Sequence, residues 1–163
     1  MLRRALGAVL GRPAARRSTG PERPAAPQGR STYPGDYDGV LVPEYSPVLD
    51  GDADPGEIVW AWVPYEEDHS KGKDRPVLVV GRNGGWLLGL MLTSKDHSRD
   101  AADEARWGRR WLDIGSGPWD RQGRDSEVRL DRLVRLDPAA VRREGAIMPR
   151  STFDEVVSLA GSR

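Results

Sequence analysis

The chain has 163 residues and a formal net charge of zero. It contains no cysteine, which excludes a disulfide framework, a thiolate metal site and a cysteine nucleophile. No apolar run approaches the roughly 18 residues of a membrane span, so we expect a cytoplasmic protein without membrane association. The zero charge hides a basic head, since residues 1–30 carry seven Arg against one acid, and an acidic linker, since residues 36–54 carry six acids and no base.

The sequence predicts two regions. Residues 1–54, the Arg/Pro-rich head and the acidic linker, contain too few apolar residues to bury a core and are predicted to be disordered. Residues 55–163 are predicted to form one folded domain. From position 51 onward there are 18 basic and 20 acidic residues, so bulk charge does not predict non-specific binding to nucleic acid.

Short apolar runs separated by turn residues predict a mainly β domain. Asn83-Gly84-Gly85 is a strong hairpin signal, and Pro76 is placed at the first residue of its strand. A short helix is expected within 95–110, and a C-terminal helix is expected from Ser151, its predicted cap, to Leu159. The predicted strands are 58–63, 77–80, 86–93, 111–114, 128–136 and 146–148. This set of elements is typical of a small barrel with a terminal helix.

The segment 128–136 contains the most suggestive polar pair. As a strand it places Arg129 and Asp131 on one face, roughly 6.5–7 Å apart, where guanidinium and carboxylate bracket a phosphate. A surface strand of alternating charges explains the pair equally well. A helix also fits the apolar spacing, but the run is short and Pro138 closes it, which favours the strand.

Other polar residues lie at strand ends. Arg75 precedes the second strand, and Thr93 and Ser94 end the third, where their hydroxyls can donate to a phosphate. The two histidines, His69 and His97, are either an acid–base pair or solvated loop residues. No third ligand accompanies them at suitable spacing, so we predict no metal and no other cofactor.

Six tryptophans accompany a single phenylalanine. Most are expected in the core, but one or two between 107 and 119 are candidates for stacking on exposed bases, and we assign Trp119 to this role.

Four ordered segments carry a resemblance to a known family: GEIVW at 56–60, RPVLVV at 75–80, LTS at 92–94 and VRLD at 128–131. Together they resemble the PemK/MazF toxins of type II toxin–antitoxin systems, of an actinobacterial type. The resemblance covers about residues 55–150. It implies an SH3-like barrel, usually homodimeric, and a metal-independent endoribonuclease that cuts single-stranded mRNA. It further implies a cognate antitoxin and, with that antitoxin, operator DNA as partners.

The resemblance also implies roles for individual residues. Arg75 and Thr93 match the pair implicated in the MazF branch, and Arg129 and Asp131 match the R-x-D pair of the PemK/Kid branch. His69, six residues before Arg75, matches an assisting histidine. We expect the substrate to be held by Ser94, Arg132 and Trp119.

We therefore expect a toxin-like endoribonuclease, with a non-catalytic barrel that binds nucleic acid or protein as the alternative. The acidic linker admits two interpretations. Its carboxylates and the rings of Tyr37 and Tyr45 imitate RNA and cover Arg75 and Arg129, or the linker is a solvated tether for the basic head.

Overall fold

The computed structural model describes residues 33–161. Seven strands and two α-helices follow one another along these residues, and two short 3-10 helices lie between them. The strands are β1 (Glu57–Pro64), β2 (Gly72–Asn83), β3 (Trp86–Thr93), β4 (Trp111–Gly115), β5 (Ser126–Arg129), β6 (Val134–Leu136) and β7 (Arg143–Ile147). The α-helices are α1 (Ala101–Arg106) and α2 (Arg150–Ala160), and the 3-10 helices are Ser98–Asp100 and Pro138–Ala140. The mainly β prediction is confirmed.

The strands form one curled antiparallel sheet in the order β4-β5-β3-β2-β1-β7, with β6 also paired to β3. Strand β3 is the centre, because β2 pairs along one of its edges while β5 and β6 share the other. This arrangement places the first part of β2, which carries Arg75, beside the end of β3, which carries Thr93, and β3 beside the end of β5, which carries Arg129.

Both faces of the sheet are covered, which explains the apolar residues on both sides of β1. Ile58 belongs to a first core together with Leu78 and Phe153, whereas Val59 belongs to a second core together with Val77. Successive strand residues point to opposite faces, so an uninterrupted apolar run supplies both cores. Helix α2 covers the first core with Phe153, Val156 and Ala160.

Helix α2 extends one residue beyond each end of its predicted range and stops at Gly161, as expected. The predicted cap is wrong, however. The residue before the first turn is Pro149, whose side chain has no hydrogen-bond acceptor, and no side chain caps the helix. Burial of its apolar face therefore stabilises α2 more than capping does.

Strand β2 is longer than predicted, and Pro76 lies inside it rather than at its first residue. The pairing with β1 continues through the charged residues before the proline, with Asp74 opposite Trp62 and Lys73 opposite Val63. Cross-strand pairing therefore outweighs the local charge that had suggested a loop.

The predicted strand 128–136 is two strands separated by a bend. Leu92 pairs with Val128, and continuing that register would place Asp131 opposite Gly89. Gly89 instead pairs with Val134, so three residues are looped out before β6 begins. The alternation of a single strand therefore does not set the positions of Asp131 and Arg132.

Residues 33–54 form an N-terminal strap that lies against the first core, so the disorder predicted for residues 36–54 is wrong. Tyr37 and Leu41 pack on the core, and the hydroxyl of Tyr45 donates to the carbonyl of Met148 at 2.8 Å. The ring of Tyr45 also lies over Gly56, whose φ is +101° and where a Cβ would lie 2.8 Å from the ring. The head, residues 1–32, lies outside the described residues.

Within residues 33–161, no helix is long and apolar enough to cross a membrane. The same residues contain no group of three or more acids and histidines arranged to hold a metal ion.

Candidate active site

Arg75 and Thr93 project from the same face of neighbouring strands. Val77 pairs with Met91, and Arg75 and Thr93 each lie two residues beyond that pair in the antiparallel register. Because side chains two residues apart share a face, both point to the side of the second core. The sequence had placed these residues at strand ends, and pairing brings them together.

Arg75 is a half-buried cation. Among residues 33–161 its guanidinium forms neither a hydrogen bond nor an ion pair, in contrast to those of Arg129, Arg132 and Arg142. Thr93 accepts a hydrogen bond from the N–H of Lys95 at 3.2 Å, so its own O–H remains a donor. A guanidinium next to a hydroxyl donor is suited to bind a phosphate oxygen.

Arg129 lies on the same face, where it pairs with Trp111, but its guanidinium is already occupied. Its side chain is 5 % exposed, and Nη2 donates to Asp131 at 2.8 Å and to Glu66 at 2.9 Å. Burial opposes its charge, yet the hydrogen bonds from Arg129 to these two carboxylates raise its pKa above the ordinary value. Arg129 is therefore a permanent cation neutralised by two acids.

Asp131 meets Arg129 through the bend after β5, rather than through strand alternation. It accepts two bonds from Arg129 Nε at 3.2 Å and one from the backbone N–H of Arg110 at 2.7 Å. The structure thus brings the predicted Arg129–Asp131 pair together, and it adds Glu66, which sequence reasoning missed. Glu66 lies only three residues before His69, in the charged loop, but nothing in the local pattern distinguishes it from Glu67.

His69 lies in the loop between β1 and β2, half-buried, with its ring edge 5.0 Å from the ring of Tyr33. Tyr33 donates to Asp36 at 2.6 Å. Burial and that hydrogen bond raise the pKa of the Tyr33 phenol, so it stays a neutral donor. The start of the strap therefore packs against the loop that carries His69.

Two predicted substrate-binding residues are interior residues, and the structure corrects both expectations. Arg132 is 5 % exposed and donates to Asp36 at 2.7 Å and to the carbonyl of Pro64 at 2.8 Å. Trp119 is 6 % exposed in the first core, and its Nε1 donates to Ser126 at 3.1 Å. Neither presents a free face to a nucleotide, because packing and buried hydrogen bonds already use both side chains.

Ser94 lines a cavity of about 350 Å³ beside Thr93. Acids outnumber bases in its wall, which includes Lys95, Asp113, Arg124, Asp125 and Glu127. The volume is in the range of a small-ligand site, but the excess of carboxylates disfavours a phosphate inside it.

His97 is buried against the same face. Its Nδ1 lies 2.7 Å from Glu127, and its ring stacks on Trp111 with centroids 3.9 Å apart and an interplanar angle of 5°. The hydrogen bond from Trp111 Nε1 to Glu104 lowers the pKa of that carboxyl. The interpretation of His97 as a solvated loop residue is therefore wrong.

The hypothesis that the acidic linker covers the arginines of this face is also wrong. In the structure Asp36 binds Arg132, and Asp54 binds Arg82 at 2.7 Å. The rings of Tyr37 and Tyr45 pack on the first core, on the opposite face of the sheet from Arg75. A solvated tether is not observed either, since the strap is part of the folded domain.

Fold and site together define a small mainly β protein in which the guanidinium of Arg75, unpaired within residues 33–161, and the hydroxyl of Thr93 share one face of the sheet. The sequence profile of the PemK-like, MazF-like toxin of type II toxin-antitoxin system matches residues 54–160, and the chain belongs to this family.

Among solved structures, the crystal structure of MazE-MazF (Form-II) from Deinococcus radiodurans is similar, with a TM-score of 0.48 and 22 % identity. The similarity covers 69 % of this chain and 96 % of that chain. No curated protein sequence matches this chain.

Proposed function

We propose that this protein is a toxin that cleaves single-stranded mRNA without a metal ion. Membership of the toxin family supports the class. The observation that carries the activity is the shared face of Arg75 and Thr93, with the Arg129–Asp131 pair on the neighbouring strand and bend. Guanidinium groups supply the charge that a metal ion supplies in other nucleases.

The proposed reaction is attack of the ribose 2′-oxygen on the adjacent phosphorus. Asp131 accepts the 2′-hydroxyl proton, the bond to the 5′-oxygen breaks, and the products are a 2′,3′-cyclic phosphate and a free 5′-hydroxyl. Arg75 and Arg129 stabilise the negative charge that develops on the phosphate, and Thr93 donates to it. A guanidinium holds its proton too tightly to be the acid, which leaves a histidine or water.

Binding requires exchange of partners at Arg129. Glu66, whose side chain is 47 % exposed, occupies the Nη2 donor that a phosphate would use, whereas Asp131 holds Nε and Nη2 from the other side. We propose that the RNA phosphate displaces Glu66 and leaves Asp131 in place. This exchange keeps the charge around Arg129 balanced at each stage.

The partners follow from the proposed class. We propose a cognate antitoxin that blocks this face, a homodimer as the active form, operator DNA as a target of the toxin–antitoxin complex, and a cytoplasmic location. The family's description as the toxin of a type II toxin–antitoxin system supports the antitoxin.

The test is cleavage of a single-stranded RNA library by purified protein in EDTA. Arg75→Gln should reduce the rate by at least about 100-fold, the usual loss when one transition-state stabiliser is removed. Arg121→Gln is the matched control, since Arg121 is exposed and forms no ion pair among the described residues. Equal rates in wild type and Arg75→Gln would contradict the proposed site.

A second candidate function is a barrel that binds RNA or protein without cutting. It is favoured by the neutralisation of Arg129 by two carboxylates, which leaves Arg75 as the one guanidinium of this cluster without a carboxylate partner within residues 33–161. Expression in a bacterial host separates the two functions. Growth arrest that Arg75→Ala abolishes supports the nuclease, whereas harmless expression of a folded, RNA-binding wild type supports the binding protein.

A further inference from the structure

His97 has the surroundings of a working histidine rather than of a packing residue. The residue is 9 % exposed, and a parallel stack on Trp111 fixes the plane of its ring. Glu127 accepts from the backbone N–H of His97 and lies 2.7 Å from Nδ1. The backbone hydrogen bond is sufficient to hold this turn against β5. The additional contact between Nδ1 and Glu127 is therefore not required for packing of the turn.

The two ring nitrogens of His97 differ in their environment. An ionised carboxylate only accepts hydrogen bonds, so Nδ1 carries a proton and donates it to Glu127. Nε2 has no partner among residues 33–161. In this part of the chain, Arg135 Nε is the only fully buried side-chain nitrogen or oxygen without a partner. Nε2 of His97 is therefore not fully buried and is accessible to solvent. An imidazole oriented through Nδ1 and open at Nε2 is arranged to transfer a proton there.

The position of the ring places it beside the proposed phosphate site. Glu127 is the register partner of Thr93, and Trp111 is the register partner of Arg129. Directly opposed side chains on paired strands have Cβ atoms about 5 Å apart. The ring that contacts Glu127 and Trp111 therefore lies over the same face as the groups proposed to hold the scissile phosphate.

We propose that His97 is the general acid of the cleavage reaction, a role that rests on the proposed nuclease function. As the 2′-oxygen forms its bond to phosphorus, the bond from phosphorus to the 5′-oxygen breaks. The Nε2 proton of the imidazolium passes to that 5′-oxygen, while Asp131 holds the proton from the 2′-hydroxyl. Glu127 and Trp111 are positioning residues, since they orient the ring.

His69 is less suited to this role. Its ring contacts Tyr33 edge-on, and within residues 33–161 no carboxylate is hydrogen-bonded to either of its nitrogens. Without such a partner the tautomer and orientation of the ring are not fixed.

The test compares two substrates at the bond that the wild type cuts in the RNA library. One has the natural linkage, and the other has a 5′-bridging phosphorothiolate, whose sulfur leaves without protonation. His97→Gln should slow the natural linkage by about 100-fold or more, the usual contribution of general acid catalysis, and cleave the phosphorothiolate within about tenfold of wild type. Glu127→Gln should also slow the natural linkage more than the phosphorothiolate, with a smaller loss of rate. His69→Gln should affect the two linkages equally.

The other outcomes overturn the proposal. If a folded His97→Gln protein cleaves both substrates more slowly by the same factor, the residue acts in binding or packing. If neither cleavage rate falls, His97 has no role in the reaction. Selective rescue of His69→Gln instead makes His69 the acid. If the wild type binds single-stranded RNA but cuts neither substrate, the nuclease function itself fails, and the acid role falls with it.

Discussion

At the scale of single residues, two arginines on one face have opposite environments. Arg75 has no anionic partner among the described residues, whereas Arg129 is buried between Glu66 and Asp131. The two side chains are chemically identical, so their difference comes from their neighbours. Residue type alone therefore does not predict which arginine is available to bind a ligand. In the proposed function, the Glu66 carboxylate competes with an RNA phosphate for Arg129.

Removing that competitor should strengthen RNA binding. We expect Glu66→Gln to lower the Kd for an RNA with a 2′-deoxy cut site by about fivefold, equivalent to about 1 kcal/mol for a partly exposed pair. Glu67→Gln is the control, since Glu67 is exposed and forms no ion pair within residues 33–161. Fluorescence anisotropy at fixed salt measures both, and identical affinities would show that the phosphate does not contact Arg129.

The Asp36–Arg132 pair should make stability depend on pH in the acid range. Burial opposes ionisation, but hydrogen bonds from Arg132 and Tyr33 hold the pKa of Asp36 below its ordinary value of 3.8. Because the pKa of Asp36 is lower in the folded than in the unfolded protein, its ionised form stabilises the fold. This stabilisation is complete when the pH is above the unfolded-state pKa of 3.8. This stabilisation is lost as pH falls through 3.8 and then through the lower folded-state value.

Asp36→Asn should therefore destabilise the protein by about 3 kcal/mol at pH 7, because it leaves the Arg132 guanidinium buried without its counter-charge. The difference from wild type should shrink as pH approaches 3 in urea unfolding. Asp38→Asn, the same change at an exposed position two residues along the strap, is expected to alter neither quantity. A pH-independent difference for Asp36→Asn would contradict the assignment.

At the scale of elements, the strap and α2 act together to cover the first core. The ring of Tyr45 lies 4.9 Å from the ring of Phe153 and covers Gly56, so this side chain anchors the segment that precedes β1. Deleting residues 1–54 would uncover this core, and such a truncation would not report on access to the RNA face.

A graded pair of substitutions measures this contribution. Tyr45→Phe, which leaves the carbonyl of Met148 without its donor, should cost about 1 kcal/mol of unfolding free energy. Tyr45→Ala, which also opens a cavity against Phe153, should cost about 3 kcal/mol. Tyr65→Phe serves as the control, because no hydrogen bond from its hydroxyl occurs in the described structure. Wild-type stability in both Tyr45 variants would show that the strap is not bound in solution.

At the scale of the whole molecule, charge is arranged locally around a net value of zero. Arg75 and Arg129 of the proposed site lie on the face beside a carboxylate-rich cavity, and three of the strap's acids, Asp36, Glu44 and Asp54, pair with Arg132 and Arg82. If the proposed function holds, RNA is attracted by the local charges of the site and not by a net charge of the protein.

Binding to single-stranded RNA should consequently depend only weakly on salt. Contacts to two phosphates predict a slope of about −1.4 for log K against log salt concentration, at about −0.7 per phosphate. A titration of the 2′-deoxy RNA between about 50 and 200 mM salt measures it. A slope steeper than about −4 would instead implicate the seven arginines of residues 1–30.

The sequence by itself determined the elements whose signal is local. The apolar runs of β1 and β3 and the Asn83-Gly84-Gly85 turn between β2 and β3 are contiguous in the chain, and four ordered segments carried the family resemblance, which is confirmed. Thr93 was placed correctly at the end of β3, whereas Arg75 is the fourth residue of β2, because pairing with β1 extends that strand beyond its predicted start.

Only the tertiary structure decided the features that depend on distant partners. The bend between β5 and β6 arises because two parts of β3 impose different registers, and the strap is ordered because Tyr37, Leu41 and Tyr45 meet a core formed by later residues. The contact between His97 and Glu127 joins residues 30 positions apart, across an insertion without a recognisable pattern. Local propensity contains no information about such pairings, since these residues contact one another and stabilise the fold only once the sheet has formed.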